Sequence, residues 1–87
     1  MLLPTVPEWL SRRDGGLAPG LRDYIAIVTI SGRPEYRMES RPASGKFTCP
    51  VSYTVNGKLI DDAKETYATA DAALAGGLDR LRARLGW

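Results

Sequence analysis

The sequence predicts an α+β domain, an antiparallel sheet covered by helix and preceded by a short N-terminal extension. Two observations carry this. Residues 47–55 alternate cleanly, with Phe47, Cys49, Val51, Tyr53 and Val55 on one face and Thr48, Pro50, Ser52 and Thr54 on the other, the signature of a strand with one face buried. Leu74, Leu78, Leu81 and Leu85 recur at helical spacing behind Thr69, which marks an amphipathic helix. With 87 residues, 44% of them hydrophobic and 25% charged, the chain has room for one core near the small end of what folds unaided.

The N-terminal extension covers residues 1–17. In TVPEWLSRRDGG, Thr5 is suited to cap a short helix, Pro7 is tolerated in its first turn, and Gly15-Gly16 ends it. Val6, Trp9 and Leu10 then share one side; the favoured reading folds Trp9 back onto the domain as an anchor, and the competing reading makes Trp9 and Leu10 the candidates for contact with a protein partner. The basic residues of this segment follow the apolar ones, the reverse of a secretory signal, so an intracellular location, cytoplasmic or nuclear, is expected.

The stretch LRDYIAIVTI supports two readings. Leu21, Tyr24, Ile25 and Val28 fit i, i+3, i+4, i+7, whereas IAIVTI is rich in β-branched residues that favour a strand. Tyr36 and Met38 alternate with Arg37 and Glu39, so a strand precedes the loop ESRPASGK. Asn56-Gly57 marks a hairpin turn. A third strand is expected between Lys58 and Ala68, placed near Glu65–Ala68 with Tyr67 inward. Pro50 lacks the amide hydrogen that a central strand needs, which predicts a bulge there. Thr69 is a good N-cap and Asp71 suits the positive end of the final helix. Gly76-Gly77 inside that helix implies that another backbone packs close.

Composition narrows the chemistry. Twelve Lys and Arg against ten Asp and Glu give a formal charge of +2, too slight for tight nucleic-acid or membrane binding by charge alone. The chain has no histidine and a single cysteine, Cys49, so imidazole acid–base catalysis, an internal disulfide and a cysteine zinc cluster are excluded. No enzymatic activity, cofactor, metal or small-molecule substrate is expected, and no apolar run approaches a bilayer span.

From Gly20 onward the chain resembles the double-stranded-RNA-binding domain family. Leu21 and Tyr24 look like its first-helix pair, Pro34-Glu35-Tyr36 like its entry to the first strand, RPASGKFTC like its first loop, VNGK like its second hairpin and YATADAALAGGLDRL like its second helix. The resemblance implies an α-β-β-β-α fold over residues 18–87, a three-stranded antiparallel sheet packed on two helices, with residues 20–30 helical. It also implies duplex recognition by shape across about 16 base pairs. Arg22 on the first helix, Arg41 and Lys46 in the loop, and Lys64 before the second helix are then the RNA-binding candidates. The pattern departs from the family where Ala70-Asp71-Ala72-Ala73-Leu74 replaces its lysine cluster, and where Asp61, Asp62, Glu65 and Asp71 outnumber Lys58 and Lys64.

The leading expectation is therefore a non-catalytic module with weak or lost affinity for double-stranded RNA, acting mainly through a protein partner. One alternative is a functional RNA-binding domain using the 41–46 loop and first helix. A second is an unrelated small α+β adaptor in which YIAIVTI is a strand paired to Tyr36–Ser40.

Overall fold

The computed structural model describes residues 3–62 and 64–87; residues 1 and 2 of the expected extension and residue 63 of the expected third-strand region lie outside them. The elements run α1 (Glu8–Ser11), β1 (Gly15–Pro19), β2 (Ile25–Ile30), β3 (Arg33–Glu39), β4 (Arg41–Ala43), β5 (Lys46–Thr48), β6 (Val51–Tyr53), β7 (Leu59–Asp61) and α2 (Ala70–Leu85). Five strands form one antiparallel sheet in the order β1-β2-β3-β6-β7, and β4 and β5 form a separate hairpin.

This architecture corrects the expected three-stranded α-β-β-β-α fold. The helix expected over residues 20–30 is absent. Its place is taken by a loop and β2, which pairs Ile25 with Glu39 and Ile27 with Arg37. The strand pairing anticipated for the adaptor alternative is thus present. The physical reason lies in which residues are buried. Leu21 is fully exposed and Tyr24 is 41% exposed, while Ile25, Ala26 and Val28 are buried, so the first half of the helical stripe is not in the core. The β-branched run instead buries residues on both faces of a central strand.

Two turns close the extra hairpins. Ser31-Gly32 and Ser44-Gly45 all have positive φ, from 51° to 81°, the backbone that two-residue hairpin loops require. The expected loop ESRPASGK is therefore mostly hairpin. Asn56-Gly57 turns the chain as expected, with Asn56 Oδ1 accepting from Lys58 N at 2.9 Å. The strand that follows is Leu59–Asp61 and not Glu65–Ala68. Tyr67 makes an isolated bridge to Phe47, its N and O paired at 2.7 and 2.8 Å.

The long strand expected from Phe47 to Val55 is broken in two. At Cys49-Pro50 the chain passes from the small hairpin to the large sheet, so the missing proline donor interrupts the strand; the register irregularity sits one step later, between Val51 and Ser52.

Thr69 caps α2 by accepting from Ala72 N at 3.1 Å, and Gly86, at φ 72°, ends it. Leu74, Leu78 and Leu81 pack with Ala26, Val28, Met38, Cys49 and Val51 in the core, each leucine contributing on the order of 2 kcal/mol. The glycine pair in α2 admits side chains first: a Cβ at Gly77 would stand 2.6 Å from Cys49 Sγ and 3.5 Å from the Cys49 backbone oxygen, and one at Gly76 would meet the Tyr67 ring.

The N-terminal segment belongs to this core. Pro7 caps the single turn α1 and accepts from Leu10 N and Ser11 N at 3.0 Å. Leu10 is wholly buried, and its carbonyl leaves no room for a Cβ at Gly15, which would stand 2.7 Å away. Gly15 and Gly16 thus open β1, where the sequence had suggested the end of a helix.

Candidate functional site

Helix α2 packs on β3, β5 and β7; on the opposite face of the large sheet, Gly20 packs over Ile25, and the rest of the β2–β3 surface borders a groove. Because side chains alternate along a strand, Arg37 and Glu39 lie on this face, while Tyr36 and Met38 face the core. Ile27 stands directly across from Arg37, Ile25 across from Glu39, and Ser52 across from Arg37 on the other side. The loop before β2 and the start of β4 border the same region. Together they line a groove of about 770 Å³ that includes Leu21, Arg22, Ile25, Ile27, Arg37, Glu39 and Arg41.

The groove combines an aliphatic floor with three guanidinium groups and one carboxylate. Glu39 Oε1 accepts from Arg41 Nε at 2.8 Å and lies 3.5 Å from Arg37 Nη1. Burial pushes the Glu39 carboxyl up, but the Arg41 hydrogen bond and the charges of Arg37, Arg41 and Arg22 outweigh it and hold the group below its ordinary value.

Of the sequence-derived RNA candidates, the structure brings Arg22 and Arg41 together in this groove. Lys46 stands apart on the small hairpin, opposite Ala43. Lys64 is exposed and lies 3.8 Å from Asp62. The four therefore do not form one surface, and Arg22 sits in a loop, not on a helix. Of the protein-interaction candidates, Leu10 is buried in the core and offers no surface to a partner. Trp9 is half-buried against Trp87, ring centroids 6.1 Å apart, with Arg82 over Trp9 and Arg13 over Trp87. That arrangement fits the anchor reading.

Arg37 and Glu39 were not among the candidates. Their signal was present as Arg37-x-Glu39-x-Arg41, charges two apart in a segment already read as a strand. A second charged cluster is structural. Asp61, buried on β7, lies 3.1 Å from Arg80 Nε and 3.4 Å from Arg84 Nε, and Arg80 also donates to Cys49 O and Tyr67 OH at 2.9 and 3.0 Å. With Glu65 3.9 Å from Arg80, much of the acidic stretch around β7 is paired internally. Burial drives the Cys49 thiol up to about 11, which keeps it in the un-ionised form that packs in the core.

Among the described residues, no helix is long and apolar enough to cross a membrane, and no group of three or more His, Cys, Asp or Glu is placed to hold a metal. Compared with family models, curated proteins and solved structures, the chain matches none.

Proposed function

We propose that this protein is a non-catalytic interaction module whose open sheet face binds an extended, acidic and apolar segment of a partner protein. The observation that carries the reading is the groove's composition: Ile25 and Ile27 beneath, Arg22, Arg37 and Arg41 around, and Glu39 as the sole acid lining it. Aliphatic side chains of a bound segment would lie on the floor, and its carboxylates would meet arginines that present planar donor forks.

Nucleic acid is the competing anion. Single strands are bound sequence-tolerantly by stacking bases on aromatic rings along a cationic track. The residues lining this groove include no aromatic ring, and Glu39 stands among its arginines. Both features favour a peptide over a phosphate backbone.

The test uses fluorescence anisotropy with two labelled probes, a peptide alternating leucine and glutamate and a single-stranded RNA of similar length, with a duplex RNA as a third arm. Saturable peptide binding that weakens with salt and is lost in Arg22→Glu supports the proposal. RNA binding in preference to the peptide, with the same dependence on Arg22, would replace the protein partner by a nucleic acid.

A further inference from the structure

Three guanidinium nitrogens converge on one oxygen atom. Arg41 Nε and Nη2 each lie 2.8 Å from Glu39 Oε1, and Arg37 Nη1 lies 3.5 Å from the same oxygen. The cause is the period of two, which sets residues 37, 39 and 41 along one face as the chain leaves β3 for β4. The carboxylate is the more enclosed member. Its side chain is 17% exposed, against 37% for Arg37 and 59% for Arg41, so the two guanidinium groups reach toward solvent while their contacts turn inward.

Each guanidinium carries five donors in a fixed fork, more than one carboxylate oxygen can accept. Arg22 adds a third positive charge that acts on the same carboxylate from across the groove. The site therefore has the donor geometry of a carboxylate receptor, and in the free protein its own side chain fills it.

We infer that Arg37 and Arg41 form the seat for a carboxylate side chain of the partner segment, and that Glu39 is an intramolecular competitor for this seat. The inference rests on the groove being a protein-binding surface. A ligand carboxylate takes over donors now held by Glu39, so the competent form of the seat is only part of the free population and the apparent affinity is lowered by that fraction. Partners presenting carboxylates at the spacing of the seat overcome the competitor; those presenting only apolar groups do not.

The experiment compares binding of the leucine–glutamate peptide by the wild-type protein, Glu39→Gln, Asp79→Asn, and the double variant Glu39→Gln/Arg41→Ala. Glu39→Gln preserves side-chain shape, and a thermal melt verifies that each variant is folded. Asp79 is exposed on α2 and controls for net charge. The result expected is a three- to tenfold tighter Kd for Glu39→Gln, on the order of a weak ion pair's worth. Asp79→Asn should leave Kd unchanged and Arg41→Ala should cancel the gain. Equal affinity in wild type and Glu39→Gln, or an equal gain in Asp79→Asn, overturns the competitor while the groove reading stands. Absence of peptide binding in every variant overturns both, and a gain for single-stranded RNA but not peptide overturns the carboxylate seat.

Discussion

Asp61 and Arg80 meet at 3.1 Å between β7 and α2, the carboxylate side chain 8% exposed and the guanidinium 15%. The pair ties the edge strand of the large sheet to the helix, and Arg80 extends the tie to the chain at Cys49 and Tyr67. Removing Asp61 takes away the enclosed carboxylate nearest to Arg80 and leaves the guanidinium only its bonds to Cys49 O and Tyr67 OH and the more distant Glu65. Asp61→Ala should destabilise the fold by about 3 kcal/mol, measured by urea denaturation, with loss of protection in β7 on hydrogen exchange. A cost under half of that would mean the pair is solvated and does not organise the edge.

Leu10 places the N-terminal segment inside the domain. Leu10→Ala should cost about 3 kcal/mol, comparable with truncating a leucine of α2, and should also release the Trp9–Trp87 contact, changing the near-ultraviolet circular dichroism. A separable extension would show neither effect.

The packing of Cys49 against Gly77 makes two linked predictions. With its thiol raised to about 11, Cys49 should be roughly a thousandth ionised at pH 8 and react with a disulfide reagent only on unfolding. Gly77→Ala gains about 1 kcal/mol of helix propensity, but the new methyl would press on Cys49 Sγ at 2.6 Å, and overpacking costs about 1–3 kcal/mol. The net effect lies between neutral and about 2 kcal/mol destabilising, and with Cys49→Ala in place Gly77→Ala should become stabilising in a double-mutant cycle.

The fold was legible where local signals agreed and illegible where they competed. Helix α2 was read from Thr69, its leucine stripe and its first-turn Asp71, all of which act within the helix. The strand through Tyr36 and Met38 was likewise visible from alternation. Residues 21–30 carry both a helical spacing and a β-branched run, and only the tertiary outcome decides between them: Leu21 has nothing to pack on, whereas Val28 does. The Ser-Gly turns at 31–32 and 44–45 were readable as hairpin loops and would have argued for more strands. In the site, Arg22 and Arg41 were identified, but their meeting with Arg37 depends on β2 lying beside β3. Asp61 could not be assigned as buried, since its partner lies on a distant helix.

Glu39 also gives the groove a pH signature. Its carboxyl is held below the ordinary value in the folded protein, so the unfolded chain binds this proton more readily. The stability it contributes is present above the unfolded value, near 4.3, and is lost as pH falls through the folded one. Between pH 6 and pH 3, the stability of the wild type relative to Glu39→Gln should therefore decline, as followed by urea denaturation at each pH. A difference that stays constant across this range would show that the arginines do not hold the carboxylate.

The most direct measurement is an amide-shift titration of the isotopically labelled protein with the leucine–glutamate peptide at low and then physiological salt. The predicted result is saturable, salt-sensitive shifts at Arg22, Ile25, Ile27, Arg37, Glu39 and Arg41, with α2 unaffected. Shifts confined to α2, to the Trp9–Trp87 contact or to the β4–β5 hairpin, or none at low salt, would contradict a partner-binding role for the open sheet face.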